Sequence, residues 1–184
     1  GGSPLSLRLA ADAWKAGVPR DAGADWDFDD VRDHYLHELH SVDPASLRET
    51  DPARYLALSR EVTGELIAHV FGEWRRAESP CSGGIVLWAR DLAPGAGWGL
   101  LDDRGRPKLA LGHLRRVWAP LALWLTDEGL GGLAVHVAND GAAAVTATLR
   151  VALARDSGAP VAIAERELEL APRSVAAFDV EELI

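Results

Sequence analysis

Trp88, Arg90, Asp91 and Trp98 are the residues of this chain whose types and spacing suggest chemistry. Trp88 closes a short apolar run, Gly84-Ile85-Val86-Leu87, and the charged pair Arg90-Asp91 follows almost at once. Trp98 then sits among Gly95, Gly97 and Gly99, residues that let a backbone approach a ligand closely. An indole face stacks on the apolar CH face of a sugar ring, and neighbouring charges hydrogen-bond its hydroxyls. Together these residues point to a saccharide subsite. A Trp near the end of a buried strand can also be plain core, so its neighbours carry the distinction.

Other candidates are weaker. His34, His37 and His40 recur at three-residue spacing beside Asp30 and Asp33. A helix brings His37 and His40 close together, but no third ligand is defined and no HExxH is present, so the pattern reads as a polar helix face with no metal. Glu61 and Glu65 share a helix face, whereas glycosidic hydrolysis needs two carboxyls roughly 5–9 Å apart across a cleft. Gly95-Ala96-Gly97-Trp98-Gly99 does not match GxGxxG between a strand and a helix, and neither GxSxG nor a P-loop occurs. The one cysteine, Cys81, permits no internal disulfide and reads as a small buried thiol. No catalytic residue and no cofactor is implied.

The elements that would position the Trp loop follow from periodicity and caps. Residues 1–24 read as loop. Asp27 can cap a helix carrying Val31, Tyr35 and Leu39, ended by Pro44. Asp51 as N-cap and Pro52 at the first helical position open a second helix. Its apolar stripe is Tyr55, Leu58, Val62, Leu66, Val70 and Trp74, and Gly64 and Gly72 suggest close packing on a neighbour. The run Gly84–Asp91 lacks alternation, so it reads as a strand covered on both faces, as in a parallel sheet. After the loop, Asp102-Asp103-Arg104-Gly105 is a turn, and Pro107 begins a helix with Leu109, Leu114 and Val117. Strand, loop and helix in that order form the repeating unit of a β/α barrel. Beyond Pro120 the pattern changes to short strands over 121–126, 133–138, 145–154, 161–170 and 174–180, which reads as a β-sandwich.

The chain has 184 residues, 48% of them hydrophobic and 26% charged, with a net charge of −9. A complete β/α barrel needs roughly 250 residues, so this length holds only part of one. The acidic balance without a basic patch excludes nucleic acid and anionic membrane as natural partners. No apolar run approaches the roughly 18 residues of a membrane span, and no leader-like stretch is visible, so a cytoplasmic location is expected. The chain begins Gly1-Gly2 and contains no Met, which reads as a piece of something longer.

Three stretches, GGIVLWARD, the loop through Trp98, and LLDDRGRPK leading into LALGHLRRVWAP, resemble glycoside hydrolase family 2, particularly its β-mannosidase-like branch. The upstream ARYLALSREVTGELIAHVFGEWRR is similar to the helix before the family's last barrel strand, and the terminal strands to its immunoglobulin-like domain. The resemblance implies a C-terminal fragment of a β/α (TIM) barrel over residues 1–119, followed by an immunoglobulin-like β-sandwich over 120–184. It implies a retaining exo-glycosidase in which Trp88 walls the −1 subsite, Asp91 bonds sugar hydroxyls and Trp98 shapes the entrance. The family's acid/base Glu follows an Asn. Here the single Asn, Asn139, precedes Asp140 in the sandwich, and Arg90-Asp91 replaces the usual Asn-Asp. Both catalytic carboxylates are therefore expected outside this chain, leaving it inactive alone. The expected partners are a carbohydrate substrate and either the N-terminal part of the parent enzyme or a second copy of the chain. The alternatives are a non-catalytic carbohydrate-binding or protein-interaction module, and a helical regulator with an appended sandwich, in which Trp88 would be fully buried.

Overall fold

The computed structural model describes residues 18, 20, 22–81, 83–94 and 97–184. The loop expected over residues 1–24 lies mostly outside them, as do Gly95 and Ala96. The chain forms two compact units, one from residues up to Ala68 together with Ile85–Leu114, the other from His69–Gly84 and Arg115–Ile184.

The first unit is helical. Helix α1, Phe28–His40, starts at Asp27, whose carboxylate accepts the Asp29 and Asp30 amides while the Asp30 side chain accepts the Asp27 amide. This reciprocal capping box satisfies amides that the helix itself leaves unpaired. The buried face differs from the expected Val31, Tyr35 and Leu39 stripe. Leu36 is fully buried, whereas Tyr35 and Leu39 are exposed. Arg32 is drawn inward beside Leu36 because Asp29 and Asp33 pair with its guanidinium at 2.6 and 2.9 Å.

Helix α1 ends at Ser41, in the left-handed conformation, and a short helix α2, Pro44–Thr50, follows where the sequence suggested only a break. Asp43 caps it and Pro44 occupies its first turn. Helix α3, Pro52–Trp74, starts as expected, with the Asp51 carboxylate accepting the Arg54 amide at 3.0 Å. Its Tyr55 and Val62 join Leu36 in the core of this unit. Gly64 lets the His113 ring approach; a Cβ there would lie 2.4 Å from it. His113 belongs to helix α4, Leu109–Val117, which buries Ala110, His113, Leu114 and Val117 along one face.

In the second unit, strands β1 (Leu121–Asp127), β2 (Leu133–Asn139) and β5 (Ser174–Asp179) form an antiparallel sheet in the order β1-β2-β5. β3 (Val145–Ala154) and β4 (Pro160–Leu170) pair as an antiparallel hairpin. The strand boundaries follow the alternation closely. Val135 and Val137 from the first sheet and Leu149, Leu168 and Leu170 from the second share one apolar core. The opposite face of the first sheet carries Trp124, packed on Gly72 of α3, where a Cβ would lie 2.9 Å from the indole. Asn139, also buried, donates to the Ala143 and Ala171 carbonyls and accepts the Gly141 amide. It holds the β2–β3 turn, a structural task. The short helix α5, Val180–Leu183, follows β5.

The fold is thus a mixture of helices and small antiparallel sheets. The run Gly84–Asp91 is not a strand within it; its one ladder contact is a parallel bridge between Arg90 and Leu101. Ile85 is 91% and Leu87 79% exposed. A parallel strand needs partners distant in sequence for its amides and carbonyls, and the described residues place none beside Gly84–Trp88. No helix among the described residues is long and apolar enough to cross a membrane.

Candidate functional site

The Trp loop is closed at its neck by two backbone bonds. Leu101 donates its amide to the Ala89 carbonyl and accepts the Asp91 amide with its own carbonyl, both at 3.0 Å. The segment from Asp91 to Leu101 therefore leaves and returns at one point, the habit of a compact Ω-loop. Past the neck, Asp102 shapes the next turn. Its carboxylate accepts the Arg104 and Arg106 amides and pairs with the Arg106 guanidinium. Those bonds, the Arg106 amide first, hold the Asp102 carboxyl below the ordinary range.

Inside the loop, Asp91 and Lys108 form a staple. The Asp91 side chain is only 7% exposed; one oxygen accepts the Gly99 amide at 2.8 Å and the other meets the Lys108 ammonium. Lys108 also donates to the Gly97 carbonyl at 3.0 Å. The two residues flanking Trp98 are thus tied to one ion pair. A Cβ on Gly99 would lie 2.5 Å from the Asp91 backbone nitrogen, and one on Gly97 2.5 Å from the Asp91 carboxylate, which would have to leave its place in the staple.

Trp98 stands edge-to-face on Phe28, with ring centroids 4.7 Å apart and planes at 89°. Phe28 is the first residue of α1, so the Asp27 capping box indirectly sets the indole's orientation. Trp98 remains half-exposed. Trp88 is 48% exposed, which is contrary to the full burial expected of a helical regulator. Among the described residues no hydrogen bond or ring contact joins Trp88 to Asp91 or Trp98. The structure therefore brings Asp91 and the Trp98 loop together, and among the described residues it does not join Trp88 to them. Asp91, read from the sequence as a hydroxyl partner, has both oxygens engaged within the chain.

Lys108 and Phe28 were not singled out from the sequence, although both left a signal. Lys108 is one of two lysines and ends the Gly-Arg-Pro-Lys turn; Phe28 directly follows the best N-cap in its segment. The other candidates are accounted for locally. His37 bonds the Val42 carbonyl and His40 lies 3.7 Å from Glu65. Glu61 pairs with His113 at 3.1 Å. Among the described residues no group of three His, Cys, Asp or Glu side chains could hold a metal ion.

A mixed helix-and-sheet chain presenting a stapled aromatic loop is the class that this geometry defines. No family model matches the chain, and no curated protein matches it. Solved structures do match, among them a beta-D-mannosidase from Dictyoglomus thermophilum, with a TM-score of 0.56 at 19% identity. The match covers 71% of this chain and 16% of that one, so the likeness is one of fold over a small part of the longer protein.

Proposed function

We propose that this chain is the C-terminal part of a retaining exo-glycosidase of glycoside hydrolase family 2, β-mannosidase-like, acting on terminal β-linked sugars. In this reading residues 1–119 supply the last unit of a β/α barrel and 120–184 an immunoglobulin-like sandwich. One observation carries it: a half-exposed Trp98, fixed by Phe28 and by the Asp91–Lys108 staple, in a chain folded like a stretch of a beta-D-mannosidase. Trp88 and Trp98 offer indole faces to the apolar side of a sugar ring. Asp91 acts through the loop, holding Gly99 so that Trp98 cannot swing away. The two carboxylates of a retaining mechanism, about 5–5.5 Å apart, belong to polypeptide preceding this chain.

The test compares two proteins. A longer polypeptide ending in this segment hydrolyses an aryl β-mannoside with retention, and Trp98→Ala lowers its kcat/KM; the 184-residue chain alone shows no hydrolysis. Activity in the short chain, or indifference of the long one to Trp88→Ala and Trp98→Ala, overturns the reading. The exposed Ile85 and Leu87 favour a second reading, a non-catalytic interaction module, in which the longer polypeptide is also inactive.

A further inference from the structure

The second unit holds an open concavity of about 510 Å3 that shares no residue with the Trp98 loop. That volume falls within the range of about 300–1,000 Å3 usual for small-ligand sites. Its aromatic side is built on the buried Phe71. Trp74 and Trp118 each pack edge-on against that ring, with centroids 5.0 and 5.2 Å away. Both indoles are pinned at one edge yet remain 38% and 41% exposed. Gly84 presses on Trp74 closely enough that a Cβ there would lie 2.4 Å from the indole. Ligand binding would therefore cost these side chains little further freedom.

The polar side decides the ligand class. Arg75 donates to the Val117 carbonyl and to Asp140 at 2.8 Å, and Arg76 reaches Glu73 at 3.1 Å and Glu128 at 2.8 Å. Both guanidiniums are answered by carboxylates, so an anion meets no uncompensated cation. A purely apolar ligand would desolvate Asp140 and the guanidiniums without replacing their water. A ring with one apolar face and a rim of hydroxyls satisfies both sides. The geometry points to a binding site for a neutral saccharide, with a pyranose ring stacked on Trp74 or Trp118 and its hydroxyls bonded to Asp140 and Arg76. The site itself does not depend on the proposed enzymatic reading; only the choice of a mannose oligosaccharide as probe rests on it.

The test follows the indole N–H signals of the 184-residue chain by NMR during titration with mannotetraose, with phosphate and benzoate as controls. The Trp74 and Trp118 signals shift and saturate with the tetrasaccharide alone. Trp118→Ala, with the circular dichroism of the parent, weakens binding about tenfold, as loss of one stacking contact would. Should that variant fail to fold, Asp140→Asn, at an exposed side chain, keeps the test open and also weakens binding. Unmoved Trp74 and Trp118 signals overturn the proposal. So does a response confined to Trp98, or one stronger to phosphate or benzoate than to the sugar.

Discussion

The Asp91 carboxylate and the Lys108 ammonium are both nearly buried, so each depends on the other for the solvation it has lost. Removing one partner strands the other. Lys108→Ala is expected to cost about 3–5 kcal/mol in urea unfolding. It should also release the Gly99 amide, which Asp91 holds, to faster hydrogen exchange. Lys108→Met combined with Asp91→Asn should recover most of the loss, because no charge remains buried. A single variant as stable as the parent would mean that the staple contributes nothing. Two glycines give a sharper contrast. Gly112 lies in α4 with open space where a Cβ would go, so Gly112→Ala is expected to stabilise by about 1 kcal/mol. The same change at Gly64 gains the same propensity but drives a Cβ into the His113 ring, and is expected to destabilise by about 1–3 kcal/mol. Unfolding midpoints that rise together would contradict the packing argument.

At the scale of elements, the β1–β2 pair carries a pH dependence. His136 is buried, stacked on Trp124, and shares the Thr126 hydroxyl with Glu128. Burial, helped by Arg76, lowers its pKa below the ordinary 6.5, while Glu128, Glu78 and Glu73 pull the other way. The unfolded chain therefore takes up this proton first. The contribution of His136 to stability is full above pH 6.5 and is lost as pH falls towards its depressed folded value. His136→Phe keeps the stacked ring and should flatten that part of the stability profile. Glu128, held low by Thr126 and then Arg76, adds a loss of the same sign in more acidic solution. The strands themselves were legible because alternation and turn residues are local signals. An Asp-Pro pair marks a helix start: Asp51-Pro52 opens α3, and the same pair at Asp43-Pro44 opens α2, although a proline following a helical pattern also signals that helix's end. The inward face of α1 was not legible from hydrophobicity, since Arg32 enters on charge partners that apolar periodicity does not register. In the candidate site, the Trp loop stood out by composition. The engagement of Asp91 with Lys108 did not, because it depends on the chain returning through the Leu101 neck.

At the scale of the whole molecule, the run Gly84–Trp88 has the composition of a core strand without its surroundings. Ile85 and Leu87, on the same parity, are almost wholly in water. Among the described residues the run's amides and carbonyls find no strand partner; an apolar extended segment of that kind is a template for pairing, and each bond gained is worth about 1 kcal/mol before side-chain burial is added. The 19.7 kDa chain is therefore expected to associate with itself in solution, unless polypeptide from the same parent covers this segment. Light scattering across a concentration series should show a mass rising above that of the monomer. Ile85→Lys with Leu87→Lys should hold it at the monomer value without loss of helical signal, since neither side chain supports the fold of the isolated chain. If the parent chain stayed a monomer at every concentration, the segment would be stable in water as it stands. The expectation of a barrel neighbour beside it would then lose its physical basis, whatever the likeness of fold.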